Sequence, residues 1–322
     1  MISDRLFDRV LVEPVRQGAD RLFVVSGYAT ATMASQHLNH VKDTERRISV
    51  ALILGMTPTS GLNRRDHLAF QGLTQGHELG EFRCSYLMAD KKPVHSKVYI
   101  WTHGERPLAA YTGSANYTQN AFWGRQREVL TECDPEEALA YYRSLGTDTI
   151  FCDHGEVEQY VTIGDVRRQR VEGEGGDVED VGEVQTEGLE HVTCSLLTRG
   201  GQIHTKAGLN WGQRDHREPN QAYIPVTAEV DRSGFFPPVK THFTVLTDDG
   251  KVLICTRAQD GGKAIQTPAG NSQLGEYFRN RLGLPNGAFV RKEDLERYGR
   301  TTVDFYRIDD DTYQMDFAPP RP

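Results

Sequence analysis

Val94-His95-Ser96-Lys97-Val98-Tyr99-Ile100-Trp101, followed by Thr112-Gly113-Ser114-Ala115-Asn116 and by Glu128-Val129-Leu130, is the stretch on which the reading of this chain turns. Val94, Val98, Ile100 and Trp101 predict a strand over 94–101, and residues two apart in a strand share a face, so His95 and Lys97 project side by side. A nucleophile and a cation then stand on one surface. Pro107 opens a second apolar run, Leu108-Ala109-Ala110-Tyr111, which breaks at Gly113. Small residues there let the backbone close around a ligand, while Ser114 and Asn116 offer neutral hydrogen-bond donors. Glu128 heads a third apolar run. A carboxylate that accepts from one imidazole nitrogen fixes the tautomer and leaves the other nitrogen free to attack, which is the role expected of Glu128 toward His95. The set suits phosphodiester chemistry and calls for no cofactor and no cluster of metal ligands.

Two other H-x-K triplets, His40-Val41-Lys42 and His204-Thr205-Lys206, lack a Gly-Ser-x-Asn turn behind them. The triplet alone is a common exposed pattern; its combination with the turn and the carboxylate is specific. His95, Lys97, Ser114, Asn116 and Glu128 resemble the signature of the phospholipase D superfamily, H-x-K followed by G-S-x-N. The resemblance implies that His95 attacks phosphorus to form a covalent phosphohistidine, that Lys97 and Asn116 hold the charged oxygens with Ser114 assisting, and that a second histidine protonates the leaving oxygen. Thr102 stands where that family's usual aspartate follows the lysine, which weakens the analogy to its lipid-cleaving members. The full motif occurs once, so the resemblance implies a homodimer whose two subunits share one active site.

At 322 residues the chain is long enough for two sizeable cores. Its five cysteines are odd in number and form no C-x-x-C pair, which argues against a disulfide framework or a zinc ribbon and for a reducing cytoplasm. No apolar run reaches the roughly 18 residues that a membrane span needs. Between Val171 and Glu190 lie eight acids, five glycines and no Lys or Arg. Removing those eight from the 45 acids leaves 37 against 37 bases, so the formal −8 belongs to this segment and does not argue against a nucleic-acid partner. It reads as an acidic flexible linker over 171–190. A polyanion tethered beside a phosphodiester site could also occupy that site, an autoinhibitory role that replacement of the acids by Ser would test.

Ahead of the linker, helical spacing at Leu6-Phe7-Val10-Leu11, over 30–43 and over 63–74 alternates with strands at Leu22–Val25, Ile48–Gly55 and Phe82–Met88. Pro135-Glu136-Glu137 opens a last helix through Leu145, with Gly146 just past its end. Residues 1–170 are therefore expected to form an α/β domain, to which the resemblance assigns catalysis and dimerisation. His37 and His40 are three apart on a predicted helix, but no acidic or cysteine partner accompanies them and they are assigned no role.

Residues 191–322 are β-rich, with runs at His191–Leu197, Ala222–Ala228, His242–Leu246, Val252–Thr256, Ala288–Val290 and Thr302–Ile308 separated by Gly, Pro and Asp turns, as in a barrel or sandwich. Two polar stretches lie between them. One holds Lys206, Asn210, Trp211, Gln213, Arg214, Arg217, Asn220 and Gln221; the other holds Arg257, Gln259, Lys263, Gln266, Asn271, Gln273 and Arg279. Arg, Lys, Asn and Gln read base edges and grip phosphates, so two arms on double-stranded DNA are expected, although polar loops are also what ordinary exposed connections look like and Trp211 could equally anchor a core. Gly208-Leu209-Asn210-Trp211-Gly212-Gln213 with Asn220-Gln221-Ala222-Tyr223-Ile224-Pro225 resembles the C-terminal domain of NgoFVII-type restriction endonucleases, a B-three-like pseudobarrel. With the phospholipase D-like half, the order of parts is similar to that of the NgoFVII-type and BfiI-like enzymes. The resemblance implies a type II restriction endonuclease that needs no metal, and it permits an ATPase partner subunit. A lipid phosphodiesterase and a catalytically dead DNA-binding regulator are the alternatives; a lipid-turnover assay and nicking by wild type but not His95→Ala separate them.

Overall fold

Residues 1–76, 79–123, 126–164, 186–258, 261–268 and 270–319 are described by the computed structural model, and the chain divides into two units, Met1–Glu183 and Val184–Pro322. Most of the expected linker, and Gln259, lie outside the described residues.

The first unit is built on a sheet of β1 (Arg21–Ser26), β2 (Ser49–Leu54), β3 (Glu81–Leu87), β4 (Val98–His103), β5 (Arg106–Gly113), β6 (Leu130–Cys133) and β7 (Thr149–Phe151), in the order β6-β5-β4-β1-β2-β3-β7. Apart from the half-buried Phe23, its apolar runs Leu22-Val25 and Leu52-Leu54 are buried on both faces, as strands under covering helices must be. Strands β1, β2 and β3 run parallel, in register Leu22↔Val50 and Val50↔Phe82. Parallel neighbours need crossovers, which helices α1 (Ala31–Lys42) and α2 (Arg64–Gln75) supply. Thr30 caps α1 by accepting from the Met33 N–H at 3.3 Å, and Asn63 caps α2 by accepting from Arg65 at 2.9 Å. Helix α3 (Pro135–Ser144) has Asp134 as its cap and packs Ala138 and Leu139 on Val25, Val98, Ile100 and Ala110.

Strand β4 pairs with β1 antiparallel, and β5 and β6 continue antiparallel. The sheet thus changes sense between β1 and β4. That change brings the carboxyl ends of β1, β2 and β5 to the same edge as the amino ends of β4 and β6, the kind of switch point at which α/β sheets bind ligands. The N-terminal turns over Phe7–Val12 and Glu13–Arg16 cover the sheet, and Trp101 donates to the Val10 carbonyl at 2.7 Å. His37 is buried between the Tyr117 hydroxyl at 2.9 Å and the Leu11 carbonyl at 3.0 Å, and burial pulls its pKa down to about 4. All five cysteines are free thiols, and Cys133 alone among them is not buried.

The second unit holds β8 (His191–Ser195), β9 (Ile224–Pro225), β10 (His242–Thr247), β11 (Val252–Ala258), β12 (Ala264–Gln266), β13 (Thr302–Arg307) and β14 (Thr312–Asp316), in the order β8-β13-β14-β10-β11-β12-β9. The edge strands β8 and β9 approach each other, so the sheet nearly closes into a pseudobarrel. Phe235, Phe236, Phe243, Phe305 and Tyr313 fill it. Helices α4 (Ser272–Arg281) and α5 (Lys292–Tyr298) lie outside the ladder.

Three expectations are corrected. The strand over 94–101 begins only at Val98, because the Val94 N–H donates to the Gly55 carbonyl at 2.8 Å and carries 94–97 across the end of β2. Of Ala222–Ala228 only Ile224–Pro225 pairs, and Ala228–Ser233 is helical, capped by Thr227. Ala288–Val290 is no strand; Val290 is held by Asn210 instead. Strand β14 and helix α4 were not anticipated, although Tyr313 and Met315 alternate inward and Leu274, Tyr277 and Phe278 form a buried helical stripe.

Candidate active site

Glycines at the strand ends let three segments meet. A Cβ on Gly55 would stand 2.1 Å from the Val94 carbonyl oxygen, and one on Gly113 would stand 2.1 Å from that of Val129, so neither approach tolerates a side chain. The close passage of Val94 delivers His95 and Lys97 to the switch-point edge. His95 is exposed, whereas Lys97 keeps only 6% of its surface. The Lys97 Nζ lies 3.0 Å from His95 Nε2 and donates to the His95 carbonyl at 2.7 Å. The His95 ring nitrogen and the Lys97 cation therefore stand at one point. Burial pulls the Lys97 pKa below the ordinary lysine range, and the charge of Glu128 acts in the opposite direction.

The Gly113-Ser114-Ala115-Asn116 turn is tied to the start of β6. Ser114 donates its amide to the Val129 carbonyl at 2.9 Å, its hydroxyl accepts from the Val129 N–H at 3.1 Å, and that hydroxyl donates to the Glu128 carboxylate in a short bond. Glu128 was expected to accept from His95. Within one chain its partner is Ser114, which pairs with the neighbouring Val129 at the end of β5, and it reaches Lys97 through its field. Asn116 Oδ1 accepts from the Tyr28 N–H at 3.2 Å and lies 3.3 Å from the Ser26 hydroxyl oxygen. Ser26, Gly27 and Tyr28 therefore border the site, and Tyr28 sets its ring 6.2 Å from that of His95. Sequence reasoning missed all three; the one signal was a Gly directly after a buried apolar run ending in Ser26.

In the second unit, five of the expected DNA contacts are framework residues. Asn210 is fully buried, donating to the His204 and Val290 carbonyls at 3.0 and 2.8 Å and accepting from the Val290 N–H at 2.9 Å. Arg279, also fully buried, donates to the carbonyls of Ala288, Gly275, Leu209 and Pro219 at 2.8 to 3.3 Å. Arg257 is spent on Asp231, Gly262 and Pro237, Asn220 on Gly287 and Glu276, and Gln213 on the Pro219 and Gly287 carbonyls. Each ties backbone groups of the second unit together, which accounts for polar residues at those positions. Lys206, Arg214, Arg217 and Lys263 are exposed, while Trp211, Gln221, Gln266 and Asn271 are half-buried. The Arg217 guanidinium lies 4.0 Å over the Trp211 ring and donates to Gln221 at 3.0 Å.

Residues 4–159 match the NgoFVII restriction endonuclease N-terminal PLD domain, and residues 184–309 match the NgoFVII C-terminal B3-like DNA-binding domain. The chain belongs to the NgoFVII restriction endonuclease family. The first half is thus a phospholipase D-type nuclease domain and the second a B3-like DNA-binding domain. All five motif residues fall inside the nuclease-domain match, and every described arm residue falls inside the B3-like match. No curated protein gives a significant match to the chain. Among solved structures, NucT from Helicobacter pylori is similar over 47% of this chain and 96% of its own, at 18% identity and a TM-score of 0.32. A polyphosphate kinase from Porphyromonas gingivalis is similar over 47% of this chain and 23% of its own, at 13% identity and a TM-score of 0.28. Among the described residues no helix is long and apolar enough to cross a membrane.

Proposed function

We propose that this nuclease is a sequence-specific type II restriction endonuclease that hydrolyses DNA phosphodiesters through a covalent phosphohistidine on His95, without a metal ion. The observation that carries the reading is the 3.0 Å approach of the Lys97 ammonium to His95 Nε2 at the edge where the sheet changes sense. In the first step Nε2 forms a bond to phosphorus and the bridging oxygen leaves, taking a proton from a second histidine. In the second, water attacks the same phosphorus, gives its proton to that histidine and frees His95. Lys97 and the amino group of Asn116 stabilise the charge that develops on the non-bridging oxygens, the task a divalent ion performs in other nucleases. Glu128 fixes the Ser114 hydroxyl and sustains the Lys97 charge.

The second histidine is the copy of His95 on another subunit, so the reading requires a homodimer with one shared site; the exposure of His95 in the single chain supports this arrangement. Lys206, Arg214, Arg217, Lys263 and the half-exposed Trp211, Gln221, Gln266 and Asn271 are the side chains proposed to meet the duplex. Plasmid DNA treated in the presence of EDTA is the test. Cleavage by wild type, its loss in His95→Ala and uniform sequence at the product ends are expected. Activity that vanishes with chelation and returns with magnesium would overturn the mechanism, and random ends would overturn the specificity.

A further inference from the structure

Strand β1 ends in Ser26-Gly27-Tyr28, a bend that none of the motifs includes. We propose that this bend is a working wall of the active site: Ser26 and the Tyr28 amide hold the Asn116 carboxamide in one sense, and Gly27 keeps open the room in which the His95 ring stands. The inference rests on the proposed action of His95 and Asn116 on phosphate.

Ser26 is fully buried, and its single hydroxyl accepts from the Tyr117 N–H at 3.0 Å while donating to the Tyr28 carbonyl at 2.5 Å. One oxygen thereby joins the end of β1 to the residue that follows Asn116. The Thr30 N–H donates to the Tyr117 carbonyl at 3.2 Å and continues the seam. Against this fixed backbone the Tyr28 N–H points at Asn116, 3.2 Å from Oδ1. A backbone N–H can only donate, so the carboxamide must turn its oxygen toward β1 and its amino group away. An amide turned the other way would confront a phosphoryl oxygen with a second acceptor.

Gly27 acts through space rather than through its backbone, since its φ is not positive. A Cβ there would stand 2.8 Å from His95 Cδ2, 3.3 Å from Met56 Cγ and 3.5 Å from Asn116 Oδ1. The closest of these atoms belongs to an exposed side chain, so Gly27→Ala moves the imidazole rather than unfolding the strand. None of the three residues needs to touch DNA; they are positioning residues.

Single-turnover cleavage by the full-length protein tests the wall. Ser26→Ala is expected to slow cleavage at least tenfold with DNA affinity changed less than twofold, and Ser26→Thr, which keeps the hydroxyl, to cleave faster than Ser26→Ala. Placed on Asn116→Ala, the Ser26→Ala change is expected to cost nothing more, because a residue acting through another loses its effect when that other is gone. Gly27→Ala is expected to slow cleavage at least tenfold and to shift the NMR signals of the His95 ring while the backbone amide spectrum is largely kept. An equal loss from Ser26→Ala with and without Asn116, or a Gly27→Ala protein with wild-type rate and an unmoved imidazole, would overturn the proposal. Cleavage that survives His95→Ala would instead overturn the functional reading, and the His95 ring and Asn116 carboxamide signals of the two variants then decide the wall by themselves.

Discussion

Lys97 places an ammonium where it keeps 6% of its surface, and burial pulls its pKa down from 10.5. Between that lowered value and 10.5 the unfolded chain holds the proton more firmly than the folded one, so this residue's contribution makes stability rise as pH rises through the window. At neutral pH the charge is retained for chemistry at some expense of stability. Lys97→Met is therefore expected to reduce cleavage about a hundredfold or more while leaving the thermal midpoint equal to or above wild type; calorimetry showing a lower midpoint would count against the argument. Cleavage should also decline on the alkaline side at a pH below the ordinary lysine range, as the ammonium is lost. The identities of His95, Lys97, Ser114 and Asn116 were legible because each pair sits within a few residues in the chain. Ser26 and Gly27 were not, since only the folded sheet brings them to Asn116 and His95.

Strands and helices were readable where pattern and burial agree, as in β1, β2, α1 and α2. They were misread where contacts from elsewhere decide: the run from Val94 to Lys97 has strand composition, yet its first amide is taken by Gly55. Polar composition in the second unit misled for a related reason, because a buried backbone needs donors as much as DNA does. Arg279 illustrates this on helix α4, with four carbonyls on one guanidinium. Arg279→Ala removes those four bonds from the packed backbone and is expected to destabilise the second unit by about 3 kcal/mol, read by urea denaturation; an unchanged midpoint with weakened DNA binding would restore it to the interface. Lys206→Ala and Arg217→Ala, both exposed, should leave stability unchanged and each lower the salt dependence of DNA affinity by about one unit of slope. At the end of β5, Gly113→Ala pushes a methyl against the Val129 carbonyl and is expected to cost about 1–3 kcal/mol together with most of the cleavage, because Ser114 and Glu128 separate when β5 and β6 do.

For the molecule as a whole, the proposed sharing of one site by two subunits would make activity a property of pairs. Mixing wild-type protein with increasing His95→Ala under conditions that allow exchange should lower cleavage as the square of the wild-type fraction, while sedimentation reports a dimer throughout; a linear decline would mean that each chain works alone. The uneven burial of the cysteines bears on how such pairs can be watched. Cys84, Cys152, Cys194 and Cys255 are sealed in the two cores, and only Cys133, on edge strand β6, meets solvent. A maleimide dye applied to the native enzyme should therefore mark one position per chain, on the strand that Glu128 leads into, without any engineered residue. Burial and the neighbouring Asp134 and Glu137 raise the pKa of that thiol, so the coupling is slow at neutral pH and gains speed in mildly alkaline buffer.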